Sequence, residues 1–442
     1  MRKSVFWIVI CSLFLIAAGC TGQPNNGEKS ADTGSNVKDQ AVQANQSQEP
    51  VTIKFYGQST QFSEETFQKL VAEPLKKKQP NITLEYVTVT PADLPNKIAS
   101  GESPDIVVSW PSGIPDILNL GMDTNIEGLI KQSNFDLSKI NSVMLDTIKL
   151  VSQKDYLIGL PAFNNSFALY YNNDLFNKFG VEKPKDNMTW DDVRSLAVKM
   201  TRTDNGMQYR GIFPDNPIRA IDQLDLVRID LKTGTAQLTS DGFVDVFRLW
   251  QSLLSIPGNF DAPNNNLGIN YHQQSFQKGE LAMLTGWSTM LNDFLKLQSI
   301  DWDMVTYPIN PKAPGIGQRV DIPIMAITRQ SKHKEEAFKV ILSILSEETQ
   351  TELAKLANGP VLVDKKISDQ FGKGIPGLEK KNVQAFVSLK LNTMHSMGNV
   401  SGAKFNPIFN NAFMSVMNKK KDINTALRDA NEELNQVIQE LK

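Results

Sequence analysis

Residues 159–201 read GLPAFNNSFALYYNNDLFNKFGVEKPKDNMTWDDVRSLAVKMT, and the rest of the chain can be arranged on either side of them. Gly159-Leu160-Pro161 interrupts whatever precedes it. The apolar, aromatic run Phe167-Ala168-Leu169-Tyr170-Tyr171 predicts a buried strand. Asn173 is expected to cap a short helix from Asp174 to Phe179, and Gly180 to end it, because glycine takes positive φ freely. Thr189 and Asp192 have the spacing of a reciprocal capping pair. Trp190, Val193, Leu196, Ala197 and Met200 then recur on one helical face.

Working back from this stretch, Val51–Tyr56 alternates like a strand, Ser63–Lys78 predicts a helix with Pro74 as an irregularity, and Ile82–Val87 a second strand. Ala92–Ala99 follows as a helix and Asp105–Ser109 as a third strand. Strands and helices alternating in this way predict an α/β layer with parallel strands. Ligands of such sheets sit beyond the carboxyl ends of the strands. That rule selects Gln58 and Ser59 after the first strand, and Ser109 and Trp110 after the third. Working forward, Asp241–Leu254, Asn270–Lys278 and Ile423–Leu441 carry helical apolar stripes.

Three strings carry a resemblance: YLIGLPAF…ALYYNNDLFNKFGV…TWDDVRSLAVKMT, FQKGELAMLTGW at 276–287, and SKHKEEAFKVILSIL at 331–345. They resemble the extracellular solute-binding proteins of ABC importers, the group that includes the maltose-binding type. The resemblance implies a two-lobed, periplasmic-binding-protein-like α/β fold, each lobe a mostly parallel sheet flanked by helices. It implies lobe 1 from 51–161 plus 309–358, and lobe 2 from 162–308 plus 359–442. The chain would cross between them near Pro161 and again along Trp302–Pro308. The implied function is capture of a sugar or oligosaccharide between the lobes and delivery to a membrane permease, by a monomer without a cofactor.

The front of the chain predicts export. Arg2 and Lys3 precede an apolar run from Val5 to Ala18, the layout of a secretory signal over residues 1–19 and too short for a comfortable membrane span. Ala17-Ala18-Gly19-Cys20 is similar to a bacterial lipobox, with Ala17 where leucine is usual, which makes Cys20 the expected lipid attachment point; ordinary signal-peptidase cleavage after Ala18 or Gly19 is the alternative. The sequence holds two cysteines, Cys11 and Cys20, so no disulfide is expected after processing. Residues 21–50 carry no aromatic residue and few aliphatic ones, the composition of a disordered tether. A lipid anchor with a long polar tether suits the outer face of a Gram-positive cell membrane.

Several function classes lack support. The three histidines, His272, His333 and His395, lie far apart in sequence, and neither HExxH nor CxxC occurs, so a transition-metal site is not expected. GxSxG, strand-linked GxGxxG and GxxxxGK[ST] are missing as well. Lys+Arg 46 against Asp+Glu 48 gives a net charge of −2, with no concentrated basic patch for nucleic acid.

Aromatic walls with convergent amides suit a sugar, whose C–H face stacks on a ring while its hydroxyls take planar donors and acceptors. Trp110 in its loop is therefore a candidate, and so is Trp287, which matches a family position that often faces ligand. Phe163, Asn164 and Asn165 follow the first crossing, although Asn-Asn also forms turns readily. Trp190 and Trp250 sit on amphipathic helix faces and read as core. Arg319 and Asp321 stand where the family commonly has glycines, and with Arg219 and Arg228 they leave room for a uronic acid or a charged non-sugar solute. A surface glycan-processing enzyme is the remaining alternative, without a motif to support it.

Overall fold

The structure, a computed structural model, describes residues 49–57, 62–90, 93–260, 267–297 and 299–442. The strands in chain order are β1 (Val51–Gly57), β2 (Ile82–Thr88), β3 (Ile106–Ser109), β4 (Gly159–Pro161), β5 (Phe167–Asn172), β6 (Arg202–Asp204) and β7 (Met207–Phe213). They continue with β8 (Ile229–Asp230), β9 (Thr235–Ala236), β10 (Leu281–Trp287), β11 (Trp302–Thr306), β12 (Ile316–Arg319), β13 (Ile324–Ile327) and β14 (Lys390–Asn392). Two five-stranded sheets, in the orders β2-β1-β3-β13-β4 and β11-β5-β10-β7-β6, carry most of them, and β12-β14 and β8-β9 pair separately. Each is the floor of one lobe, and both lobes lie within one unit, Gln48–Lys442.

Both sheets are mixed, which corrects the expectation of mostly parallel ones. In the first, β1 runs parallel to β2 and β3, as strand–helix–strand crossovers require, but β13 runs antiparallel to β3 and β4. The reason is the route of the chain. β4 leaves this lobe toward the crossing, whereas β13 comes back from it, so the two must oppose. In the second sheet β5 arrives from the crossing and opposes β10 and β11, while β7 runs parallel to β10.

The stretch at 159–201 folds closely as its sequence predicts. Strand β5 is buried along its whole length, and Gly180 closes the next helix in the left-handed region at φ 62°. That helix begins one residue earlier than expected: Asn172, not Asn173, caps it, its side chain accepting from Leu175 N–H. Thr189 and Asp192 form the reciprocal cap of helix Trp190–Met200. Trp190 and Trp250 are buried in the core, with ring centroids 5.0 Å apart. Among the described residues no helix is long and apolar enough to cross a membrane.

The crossings lie side by side. The first runs between β4 and β5. The second, expected at Trp302–Pro308, comes later: β11 is still part of the second sheet, as its edge strand beside β5, and the chain leaves only after β12, along Val320–Pro323. Residues 309–319 therefore precede the return to the first sheet. A third pass occurs at Gly359. Ala162 N–H donates to Pro323 C=O (2.9 Å), Asn165 N–H to Asp321 C=O (2.8 Å), and Asn164 and Gly359 exchange both backbone bonds (2.7 and 2.8 Å). Gln350, fully buried, locks this seam to the first lobe: its amide donates to Ala162 C=O and accepts from Val361 N–H.

Candidate functional site

Because β4 runs out to the crossings and β13 runs back, the carboxyl ends of β1 and β3 face them. In the second sheet the carboxyl ends of β7 and β10 do the same. Trp287, the last residue of β10, stands opposite Phe167, the first of β5. Its carbonyl accepts from Tyr170 Oη at 2.7 Å, which fixes the backbone, and its half-buried indole meets the Phe167 ring edge-on at 5.0 Å. Tyr307 closes the base, its ring 6.2 Å from Phe167.

Past the end of β7, Asp215 takes a left-handed conformation (φ 62°), and its carbonyl accepts from the buried Trp250 Nε1 at 2.9 Å. That turn aims the Asp215 carboxylate at Arg219 Nε (3.3 Å). The Arg219 guanidinium lies 4.4 Å from the Phe167 ring centroid and 5.3 Å from that of Trp287. A cavity of about 430 Å³ opens here, lined by Asp215, Asn216, Leu267, Trp287, Asn410 and Met414 among others. An aromatic wall with a few convergent polar groups is the usual make-up of a small-molecule pocket.

Behind this wall runs a buried chain of alternating charge. Arg228 Nη2 meets Asp222 Oδ1 at 2.6 Å, and Arg319 Nη1 meets Asp222 Oδ2 at 3.0 Å. Arg319 Nη2 lies 3.6 Å from Asp321 Oδ1, and Arg219 Nη1 is 3.9 Å from Asp321 Oδ2. With the Arg219–Asp215 pair, three arginines alternate with three aspartates and the charges cancel. Burial pushes the Asp215 carboxyl above its usual range, against the pull of Arg219. Burial lowers Arg228, opposed by Asp222, whereas on Arg219 the same penalty is outweighed by Asp321 and Asp215 together. Charges taken from water at this depth persist only as pairs.

The structure distributes the sequence-derived candidates unevenly. Trp287 lines the cavity, and Arg319 and Asp321 are links of the ion-pair chain. Asn164 lies in the seam: its Oδ1 accepts from Asp321 N–H (3.0 Å) and its Nδ2 donates to Ser166 Oγ (3.2 Å). Asn165 is held there through its backbone, while its Oδ1 is buried without a partner among the described residues. Phe163 is buried against Phe62, rings edge-on at 5.4 Å. Ser109 is buried with its hydroxyl donating to Trp110 C=O, and Trp110 packs half-buried at the edge of the core. Their neighbour Ser112, in the turn Pro111–Gly113, reaches the second lobe, where it abuts Gly402. Gln58, Ser59 and Cys20 lie outside the described residues.

Asp215, Asn216, Asp222, Asn406 and Asn410 were not anticipated. The carboxyl-end rule that selected Ser109 would have selected Asp215 and Asn216 had β7 been recognised as a strand of the second sheet. Asn406 and Asn410 sit on the long helix Gly402–Met417, where nothing in the local pattern separates them from solvent-facing amides. Among the described residues no group of three or more His, Cys, Asp or Glu is arranged to hold a metal ion.

Comparison with known proteins places the fold. A binding protein of Brucella abortus is 25% identical over 287 residues, spanning 61% of this chain and 66% of the relative, just under two thirds of its length. The ABC substrate-binding protein of Listeria monocytogenes, solved in complex with cycloalternan, superposes with a TM-score of 0.71 at 19% identity, covering 88% of this chain and 100% of that one. A cyclic alpha-maltosyl-1,6-maltose binding protein of Arthrobacter globiformis gives 0.69 at 16% identity, with 88% and 100% covered. A sugar-binding protein of Xanthomonas citri gives 0.71 at 14%, with 88% and 98% covered. At these identities the likeness establishes the fold. The family profile of the bacterial extracellular solute-binding proteins matches residues 60–351, well over half of the sequence, and the chain belongs to that family.

Proposed function

We propose that the protein is the substrate-binding component of an ABC importer, capturing a sugar or oligosaccharide between its lobes and presenting it to a membrane permease. The observation that carries this reading is the Trp287 cavity: an indole wall flanked by Asp215, Asn216 and Asn410, at the carboxyl ends of β7 and β10. A pyranose stacks its C–H face on such a ring and hydrogen-bonds its hydroxyls to carboxylate and amides. The solved relatives named above include proteins described by the sugars they bind, which favours the same ligand class here.

The seam at 162–165, 320–323 and 359 supports a hinge, since three adjacent backbone passes can bend together while both sheets stay rigid. Hinge closure around ligand is the general behaviour of periplasmic binding proteins. Ligand favours the closed arrangement only through its better contacts there. In this reading lobe 1 comprises 51–161 and 324–358 and lobe 2 most of the remainder. Residues 1–19 direct export, and Cys20 carries the lipid that anchors a monomer outside the cell membrane. The protein acts by binding, without turnover.

The test is a thermal-shift screen of residues 48–442 against neutral oligosaccharides, uronates, amino acids and chelates. A ligand at a hundred times its dissociation constant adds about 2.7 kcal/mol to stability, a readily visible shift. A response confined to carbohydrates is expected. A response confined to amino acids or chelates overturns the sugar reading.

A further inference from the structure

Beside the Trp287 cavity, with Asn216 as a shared wall, lies a second pocket of about 60 Å³. All three arginines of the buried chain, Arg219, Arg228 and Arg319, line it, together with Ser112, Asn216 and Asn406; among the described residues no carboxylate does. Asp222 and Asp321 hold the arginines in place without lining it. Four guanidinium nitrogens are buried without a hydrogen-bond partner among the described residues: Arg219 Nη1, Arg228 Nε and Nη1, and Arg319 Nε. Folded proteins rarely leave so many donors unmet in one place, because each carries a desolvation cost. Such a cluster calls for an acceptor that the described residues do not supply.

We propose that this pocket is an oxyanion subsite, which makes the preferred ligand an acidic sugar whose carboxylate enters among Arg219, Arg228 and Arg319 while its ring lies against Trp287. The inference rests on the sugar-binding reading above and adds the ligand's charge. The pocket has room for about two water-sized groups, which is what the two oxygens of a carboxylate occupy. Guanidinium forks match that planar geometry, and hydrogen bonds to an ionised acceptor are stronger than those to a hydroxyl. Arg219 spans both spaces, since its guanidinium faces the Trp287 ring on one side and lines the small pocket on the other. The chain's own charges cancel, so what an oxyanion gains here is directed, desolvated N–H groups rather than a diffuse positive field. Ser112 comes from the first lobe and Arg228 from the second, so an occupant of the subsite touches both and favours closure.

The experiment is calorimetric titration of residues 48–442 with a neutral oligosaccharide, the matching uronate-bearing one and a matching sugar phosphate. We expect the uronate to bind at least about tenfold more tightly than its neutral parent, a difference of ~1.4 kcal/mol. R228K, which keeps the charge but loses the fork, is expected to narrow that ratio; if it fails to fold, the wild-type comparison still decides. A comparable gain with the phosphate instead of the uronate keeps the subsite and assigns it the other oxyanion. Equal affinity for neutral and acidic sugars overturns the subsite and leaves the sugar-binding reading standing. No binding of any sugar overturns both.

Discussion

The crossing seam and the cleft wall adjoin in sequence at Arg319–Val320 and differ in how they use polarity. In the seam, Asn164 has its backbone N–H and C=O paired with Gly359, its Oδ1 with Asp321 N–H and its Nδ2 with Ser166. In the wall, Arg228 is fully enclosed and Arg219 and Arg319 nearly so, yet four of their nitrogens lack a hydrogen-bond partner among the described residues. Buried polar groups that bond to one another specify a single arrangement of backbone, which is what a hinge requires. Donors left open in a cleft can be satisfied only by something that arrives. The contrast separates the residues that shape the site from those that meet the ligand, and it can be attacked from either side.

The largest effect is expected at the wall. Trp287→Ala should weaken sugar binding by ~2–4 kcal/mol, the range of a central aromatic anchor, while the melting midpoint moves little. Calorimetry and a thermal melt on the same sample check both halves. At the seam the sign reverses. Asn164→Ala strands Asp321 N–H in a buried place and should cost ~1–3 kcal/mol of folding stability in a urea titration. A larger change in affinity than in stability for this variant would erase the distinction between the two regions.

A smaller effect should come from where the lobes touch. A Cβ on Gly402 would sit 2.8 Å from Ser112 Cβ, across the opening of the cleft. Gly402→Val should prop the lobes apart and lower affinity several-fold, about 1 kcal/mol, by disfavouring the closed form. An unchanged dissociation constant would show that this contact has no part in closure.

The smallest effect is a pH dependence. Burial raises the Asp215 carboxyl, so the folded state holds its proton to higher pH than the unfolded chain does. Its contribution is fully present below the ordinary carboxylate range and declines as pH rises through the raised value. Asp215→Asn should flatten that part of the stability–pH curve for the ligand-free protein. An unaltered slope would show that Arg219 keeps the carboxylate ionised throughout.

Much of the frame was legible in the sequence because local rules governed it. The Thr189–Asp192 cap, Gly180 and the buried run at 167–171 depend on neighbours within a few residues, and each forms. The second crossing was misplaced because Trp302–Pro308 resembles a linker only until its pairing with β5 is known, and pairing is a non-local property. The site was half visible for the same reason. Trp287 announces itself by motif, whereas the alternation of Arg228, Asp222, Arg319, Asp321, Arg219 and Asp215 joins residues about a hundred positions apart. No spacing rule in a single sequence links them.

The most direct test of the account is titration of the wild-type chain and the Trp287→Ala variant with one panel of oligosaccharides, read by calorimetry. Saturable, single-site binding of a carbohydrate by the wild type is expected, and its loss in a variant that still unfolds cooperatively. Full affinity in the variant, or no carbohydrate bound by the folded wild type, would contradict it.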